Sequence, residues 1–443
     1  MAVLRICLDG RLISGSSGGV EQVVIGLASA LSKLPQGEEE YFFLTYRDRD
    51  EWLRPYVRGP CHMLPGPPAP HRPTRAWLAK RVPRLQDLYH RFRHLGGSPL
   101  INIEKSDGTI EQARIDVMHF TLQTAFLTHI PSIYQPHDLQ HLHLPQFFSH
   151  WQRTGREVRY RAFCAQAQMV VAMSAWGKAD LIRQYDLPAK KVVVVPWGPA
   201  LTAYPSPRST DLCAVADKFD LPEAFLFYPA ATWPHKNHLG LLQALFILRD
   251  QHALRVALVC SGLQNRHFRE IKQQVRNLKL QDQVRFLGFV TPLELHCLYV
   301  LCRGAVYPSR FEGFGLPVIE AQLAGAPVAC SNLTSLPEVA GDGALTFDPE
   351  KPQEIAEATL RVWRDETLRR RLVERGRANV ARFSWDRSVR IFRAHYRRLA
   401  NRPLTDEDRS LMEATPVRRI LEEVVAPSRD LDKPGVNILD VLS

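Results

Sequence analysis

The chain has no apolar run approaching the roughly eighteen residues that a membrane-spanning helix requires. Its opening, Val3-Leu-Arg-Ile-Cys-Leu8, has a strand pattern rather than the form of a secretory leader, so a cytoplasmic protein is expected. Cysteine is sparse: the eight residues, at 7, 61, 164, 213, 260, 297, 302 and 330, include no C-x-x-C pair. That argues against a zinc or disulfide framework and leaves reduced core thiols. His137, His141 and His143 lie close together, but no carboxylate and histidine arrangement on a helix supports a metal, and none is assigned. The net charge of +11 comes without a nucleic-acid-binding module or an aromatic platform, so no nucleic-acid partner is expected.

What is present begins with size. At 443 residues the chain exceeds one comfortable core, and 45% hydrophobic with 23% charged residues is ordinary for a globular protein, so two domains are expected. The positive excess is uneven. Between Arg72 and His94 seven Lys or Arg face one Asp, interleaved with Trp77, Leu78, Leu85, Leu88, Tyr89 and Phe92. A basic amphipathic helix from Pro83 to about His94 is expected there, either an ordinary domain helix or a contact with an anionic membrane surface or acceptor phosphate.

Strand patterns recur at 3–8, 41–46, 115–120, 132–134, 169–173 and 191–196, then at 225–228, 255–260 and 284–290. The proline-rich stretch 58–73 reads as irregular, and Asp48-Arg-Asp50 as a charged turn. Gly18-Gly19, between the first strand and an apolar-periodic helix ending at Leu31, is one place where backbone can approach a phosphate. Asn237 is a candidate N-cap for a helix over 239–248, which sets Lys236 beside a helix N-terminus. A cation there is unfavourable unless an anion joins it, so the position itself argues for a diphosphate.

The organising stretch is Ser309-Arg-Phe-Glu-Gly-Phe-Gly-Leu-Pro-Val-Ile-Glu-Ala-Gln-Leu-Ala-Gly-Ala-Pro-Val328, flanked by the strand patterns Gly304–Pro308 and Ala326–Cys330. Pro317 suits a first helical turn and Gly325 a helix end. Strand, glycine loop and helix together aim backbone N–H groups, those of Phe314, Gly315 and Leu316, at an anion site. Glu312 before the loop and Glu320, placed in the first helical turn, flank that site; carboxylates accept hydrogen bonds from sugar hydroxyls, so a ligand with both phosphate and hydroxyls is implied.

The run from Glu312 to Glu320, with Phe311-Glu-Gly-Phe-Gly-Leu-Pro317 and Glu320-Ala321, resembles the E-x7-E signature of family 4 of the retaining glycosyltransferases. The resemblance covers about residues 3 to 400 and is strongest over 307–349. It implies an α/β chain of the GT-B fold: two doubly wound Rossmann-like domains facing across a cleft. The implied divisions are an acceptor-side domain (1–198), a nucleotide-sugar-binding domain (199–385), a terminal helix crossing back to the first domain (386–402) and a charged extension (403–443) for which no function is assigned. Within that extension, Arg409 to Val425 reads as a possible helix.

The resemblance also implies roles. Glu312 holds the sugar hydroxyls and Glu320 the ribose hydroxyls; Gly18 and Gly19 lie against the diphosphate, which Lys236 and the amides around Gly315 stabilise. His137 and Asp138 close over the donor sugar, the loop at Phe289 and Val290 cups the nucleobase through backbone groups, and 333–338 with 341–349 fix the loop beneath the nucleotide. Where the family commonly has an arginine before the lysine, this chain has Ala230, leaving His235 or another arginine to replace that contact. No metal and no cofactor are implied. The implied partners are a nucleotide-sugar donor, GDP-mannose first with UDP- or deoxysugar donors open, and a glycan or polyprenyl-diphosphate-linked acceptor. A GT-B epimerase is the alternative of another class.

Overall fold

The computed structural model describes residues 2–15, 19–70, 101 and 103–413. Gly18, the basic segment 72–94 and the chain beyond 413 lie outside the described residues. Two parallel sheets carry the fold. The first is seven-stranded, in the order β3-β2-β1-β4-β5-β6-β7: β1 Leu4–Asp9, β2 Glu39–Thr45, β3 Cys61–Pro65, β4 Val117–Phe120, β5 Ser132–Tyr134, β6 Met169–Ala172 and β7 Val192–Val194. The second is six-stranded, in the order β10-β9-β8-β11-β12-β13: β8 Leu226–Pro229, β9 Leu258–Ser261, β10 Val284–Phe286, β11 Gly304–Tyr307, β12 Val328–Ser331 and β13 Ala344–Phe347. Strands such as Met-Val-Val-Ala and Val-Ala-Cys-Ser are buried on both faces, as parallel sheets covered by crossover helices require.

The proline-rich stretch expected to be irregular contains an edge strand instead. β3 pairs parallel with β2 from Tyr41↔Cys61 to Thr45↔Pro65. Its proline closes the strand at the sheet edge, where no further ladder donor is needed.

In the first sheet the chain reverses direction of winding between β1 and β4, and in the second between β8 and β11. Ligands of doubly wound sheets bind beyond the carboxyl ends of the strands at such switch points. The loops concerned begin at residues 10–15 and span 121–131 in the first sheet, 230–237 and 308–315 in the second.

The two halves are not independent bodies. Helices α1 (Gly19–Leu31), α2 (His150–Gln166) and α3 (Ala175–Tyr185) belong to the first sheet, and α4 (Ser209–Lys218) follows the linker. In the second half are α5 (His238–His252), α6 (Phe268–Asn277), α7 (Pro292–Leu301), α8 (Leu316–Leu323), α9 (Leu336–Ala340), α10 (Pro352–Arg364) and α11 (Glu366–Val380). One apolar cluster unites Leu8, Ile25 and Val195 of the first half with Phe314, Ile319 and Val339 of the second. Into it also run Trp385 and Phe392 of α12 (Trp385–Leu399), which lies back on the first domain.

Glycines make room for that return. A Cβ on Gly26 would come within 2.2 Å of the Trp385 indole, and one on Gly198 within 2.5 Å of the Trp385 backbone nitrogen. The indole Nε1–H donates to Pro199 O (3.2 Å) and Ser388 Oγ to Pro196 O (2.5 Å), tying α12 to the interdomain linker. Farther along, buried Arg397 pairs with Glu39 (2.5 Å) on β2 and with Asp408 (3.2 Å) on α13 (Asp406–Glu413). Of the cysteines, all are free thiols and seven are buried, while Cys213 is exposed.

Candidate functional site

The site grows from the loop between β11 and α8. Gly315 is the N-cap of α8 in the left-handed region (φ 103°), where a side chain is disfavoured, and a Cβ there would meet Leu336 Cδ2 at 2.6 Å. Pro317 sits in the first turn, where its missing N–H costs nothing, and Gly325 (φ 80°) follows the last turn. Ser335 Oγ donates to Glu312 O (3.0 Å) and Phe314 O (2.9 Å), and the Glu312 N–H donates to Thr334 Oγ1 (3.1 Å). Thr334 is a β-branched residue at φ 57°, a conformation that costs about 1–3 kcal/mol and so needs its surroundings to hold it. With the loop's carbonyls pinned from behind, the amides of Phe314 and Gly315 meet no acceptor among the described residues.

Lys236 reaches this loop from the neighbouring switch-point strand. It ends the turn Pro234–Lys236, whose carbonyls are held by Tyr228 Oη donating to Lys236 O (2.5 Å) and by the Arg310 N–H donating to His235 O (2.8 Å). Its Nζ lies 2.6 Å from Glu312 Oε1, both side chains less than one-fifth exposed. Asn237, at φ 56°, caps α5 by accepting from the Gly240 N–H (3.2 Å). An ammonium has three donors, so the bond to Glu312 leaves Lys236 two with which it could meet an anion.

Glu320 is one turn farther into α8 than the sequence suggests, because the helix starts at Leu316; the first turn therefore contains no acid. The residue is 5% exposed, and burial pushes its carboxyl up to about 8. The hydroxyl of Tyr299 stands 3.5 Å from Oε2, but that hydroxyl and Tyr307 Oη also aim at Pro317 O (3.3 and 2.9 Å). A solvated first-turn acid is thereby excluded: this carboxyl is buried, and its hydrogen-bond donors are the Tyr299 hydroxyl and the backbone N–H of Ala200 from the first half.

The first domain contributes the residues after β5. His137 adopts φ 65° and its Nε2 lies 2.8 Å from Thr121 O; burial lowers its pKa, so the ring stays neutral. It meets Trp197 edge to face at 5.2 Å, and Trp197 meets Phe314 at 5.6 Å. The two domains touch here through glycine: a Cβ on Gly313 would lie 2.7 Å from His137 O and 3.1 Å from Asp138 Cβ. Glu312, Lys236, His137 and Asp138 thus converge on one cleft, with Glu320 beneath it.

Other expected residues fall differently. Gly19 opens α1, and a Cβ there meets no atom within 4 Å, so the protein itself does not require glycine at that position. His235 cannot replace the missing arginine as a cation: burial, Lys236 and Arg156 together hold its pKa down at about 2. Val290 is buried in the second core, so its side chain is committed to packing, whereas Phe289 is 69% exposed. His141 and His143 are each taken by a carboxylate, Glu157 and Asp180 respectively, both at 2.9 Å. Asp50 pairs with Arg54 (2.7 Å), and Asp48 accepts from the Ala69 N–H (2.7 Å).

One residue escaped the sequence reading altogether. Arg156, on α2, is half-buried with its guanidinium 4.8 Å over the Phe148 ring and has no carboxylate partner among the described residues. Its charge is felt at His235 across the cleft and at Tyr160 beside Asp138. The available signal was the capping box of Ser149 and Gln152 that starts α2.

The family described as "Glycosyltransferase Family 4" matches residues 17–200, and "Glycosyl transferases group 1" matches residues 216–379. The O-antigen chain mannosyltransferase B of Escherichia coli is 32% identical over 273 residues, 59% of this chain and 71% of that protein. This chain belongs to glycosyltransferase family 4. The transferase is also 31% identical over 232 residues to the serotype-specific mannosyltransferase WbdA of E. coli, a match spanning 51% of this chain and 28% of WbdA. Among solved structures it resembles Anabaena HepE in complex with UDP and glucose (TM-score 0.63, 19% identity, 88% of this chain and 98% of that one). It likewise resembles sucrose-phosphate synthase from Thermosynechococcus elongatus (TM-score 0.64, 19% identity, 89% and 99%). At those identities the likeness is one of fold, and the transferase has the GT-B architecture. Among its described residues no helix is long and apolar enough to cross a membrane.

Proposed function

We propose that the protein transfers mannose from GDP-mannose, with retention, to a hydroxyl of a glycan or lipid-linked oligosaccharide, forming an alpha linkage during assembly of a cell-surface polysaccharide. The similarity to bacterial O-antigen mannosyltransferases supports the sugar and the setting. The observation that carries the chemistry is the Lys236–Glu312 pair at the switch point, facing the unpaired amides of Phe314 and Gly315.

Cleavage of the bond between the anomeric carbon and the β-phosphate oxygen puts negative charge on the diphosphate and positive charge on the sugar ring. Lys236 and the amides at the start of α8 stabilise the first, in a cleft where such preorganised donors are worth more than in water. Glu312 accepts from the sugar hydroxyls while keeping Lys236 aimed. His137, held neutral, adds no positive charge beside the ring. The acceptor hydroxyl attacks the face the diphosphate leaves, and its proton passes to the departing phosphate oxygen, with Asp138 placed at the first-domain wall. Arg156 supplies the second cation facing the diphosphate in place of the residue absent at Ala230. Glu320 accepts from the ribose hydroxyls, which favours its ionised form and couples nucleotide binding to loss of its proton.

The deciding experiment is a thermal-shift screen against GDP, UDP, dTDP and ADP, repeated with Glu320→Ala. Stabilisation by GDP that disappears in the variant supports the reading; preference for UDP or dTDP keeps the transferase and discards mannose. The anomeric configuration of the product, read by NMR, tests retention.

A further inference from the structure

We propose that Glu338 is a positioning residue that holds the two domains at the closure angle of the donor cleft. Glu338 belongs to α9 in the second domain, yet its carboxylate crosses to the first, where Oε1 accepts from the Ala175 N–H (2.8 Å) and Oε2 from the Trp176 N–H (3.0 Å). These are the first two amides of α3. The next, Gly177 N–H, is taken by the helix's own N-cap, Ser174 Oγ (3.0 Å). A carboxylate at the positive end of a helix dipole makes strong, charge-assisted bonds, and here that carboxylate is supplied by the opposite domain.

The contact sits beside the reactive loop. Phe311, immediately before Glu312, packs against Trp176 (5.6 Å between ring centroids) and His143 (5.2 Å), and His143 is held by Asp180 of α3 at 2.9 Å. On the second-domain side α9 is fixed in turn: Asn379 Nδ2 donates to Val339 O (2.8 Å), and Arg382 to Glu338 O (3.3 Å). The carboxylate therefore connects two rigid pieces, and releasing it loosens α3, Phe311 and the Gly313 contact with His137 and Asp138 as a unit. Neither sheet depends on the bond for its own strand pairing, because the amides of α3 can be satisfied by water once the domains part.

Two substitutions weaken the same contact from opposite sides, the first removing both hydrogen bonds and the second only the one from Ala175. Glu338→Ala removes the acceptor. Ala175→Pro removes one donor at a first helical position where proline is tolerated, preceded by Ser174 in an extended conformation (φ −142°, ψ 160°) that suits a residue before proline. The full chain is measured without ligand by small-angle X-ray scattering, and its affinity for GDP and UDP by calorimetry. Each variant is expected to have a larger radius of gyration than wild type, and the double variant to match the larger single effect, as for one shared interaction. Turnover of the nucleotide-sugar chosen by the screen should fall about tenfold in kcat, the equivalent of one lost charge-assisted bond, while the nucleoside diphosphate Kd, set within the second domain, changes less. Glu338→Gln, which keeps one acceptor oxygen, should recover part of kcat. Scattering identical to wild type in both single variants overturns the proposal, as does loss of folding in both, which makes the contact a requirement of the fold. Because the scattering needs no ligand, an error in the donor assignment would leave this result standing.

Discussion

Glu320 shows how one side chain can set a pH dependence. Its carboxyl titrates near 8 in the folded chain and near the ordinary 4.5 once unfolded, so between those values the native state holds a proton that the unfolded state has lost. Stability from this group is fully present below about pH 4.5 and falls as pH rises through 8, at about 1.4 kcal/mol per unit for a group fully coupled to burial. Glu320→Gln is therefore expected to raise the melting temperature of the nucleotide-free protein at pH 8.5, with the gain shrinking toward pH 5, even as nucleotide binding weakens. A gain that is the same at both pH values would contradict the buried, neutral state. In the wild type, nucleotide affinity should rise as pH increases from 7 toward 8.5, because ribose hydroxyls favour the carboxylate. At Lys236 the expectation is kinetic: Lys236→Met should lower kcat by about 10²–10³-fold, the loss seen when one preorganised charge-stabilising donor is deleted. Turnover that survives the substitution unchanged would remove Lys236 from the leaving-group role.

At the scale of elements, α12 depends on glycine in α1. Trp385 occupies the space where a Cβ of Gly26 would stand, and the indole is 95% buried, with its N–H committed to Pro199 O. Gly26→Ala should thus destabilise by about 1–3 kcal/mol through overpacking, despite alanine's better helix propensity. Denaturant unfolding of the variant checks this; equal or greater stability would mean that α12 shifts freely. The α8 loop illustrates what could be read in advance. Gly315, Pro317 and Gly325 are where a left-handed cap, a first turn and a helix end need them, and each requirement is local. The strain at Thr334 was not legible, since threonine carries no turn signal and its φ of 57° is imposed by what Oγ1 must reach.

For the whole molecule, the apolar cluster joining α1 and β1 with α8, α9 and α12 couples the two halves. A single calorimetric transition is expected, moved upward as a unit by the bound nucleoside diphosphate. Two resolved peaks, only one of them ligand-sensitive, would show the halves to be thermodynamically separate. Turnover is also expected to persist in EDTA, because the proposed mechanism draws its positive field for the departing diphosphate from Lys236 and the loop amides; inhibition reversed by adding a divalent cation would contradict this.

By itself the sequence determined the parts whose cause lies within a few residues: the buried strands, the capped helices, the glycine loop, and the presence of a lysine beside a helix start. Its match to the E-x7-E pattern named the family. Only the tertiary structure decided the electrical state of those parts. Lys236 and Glu312 are 76 residues apart, and Glu338 lies 163 residues from the Ala175 amide it holds. Glu320 is buried by tyrosines of α7 and β11, and His235 is neutral because it is enclosed beside two cations. Charge, protonation and closure depend on distance and burial in space, and those are set when the two sheets pack against each other through α8, α9 and α12.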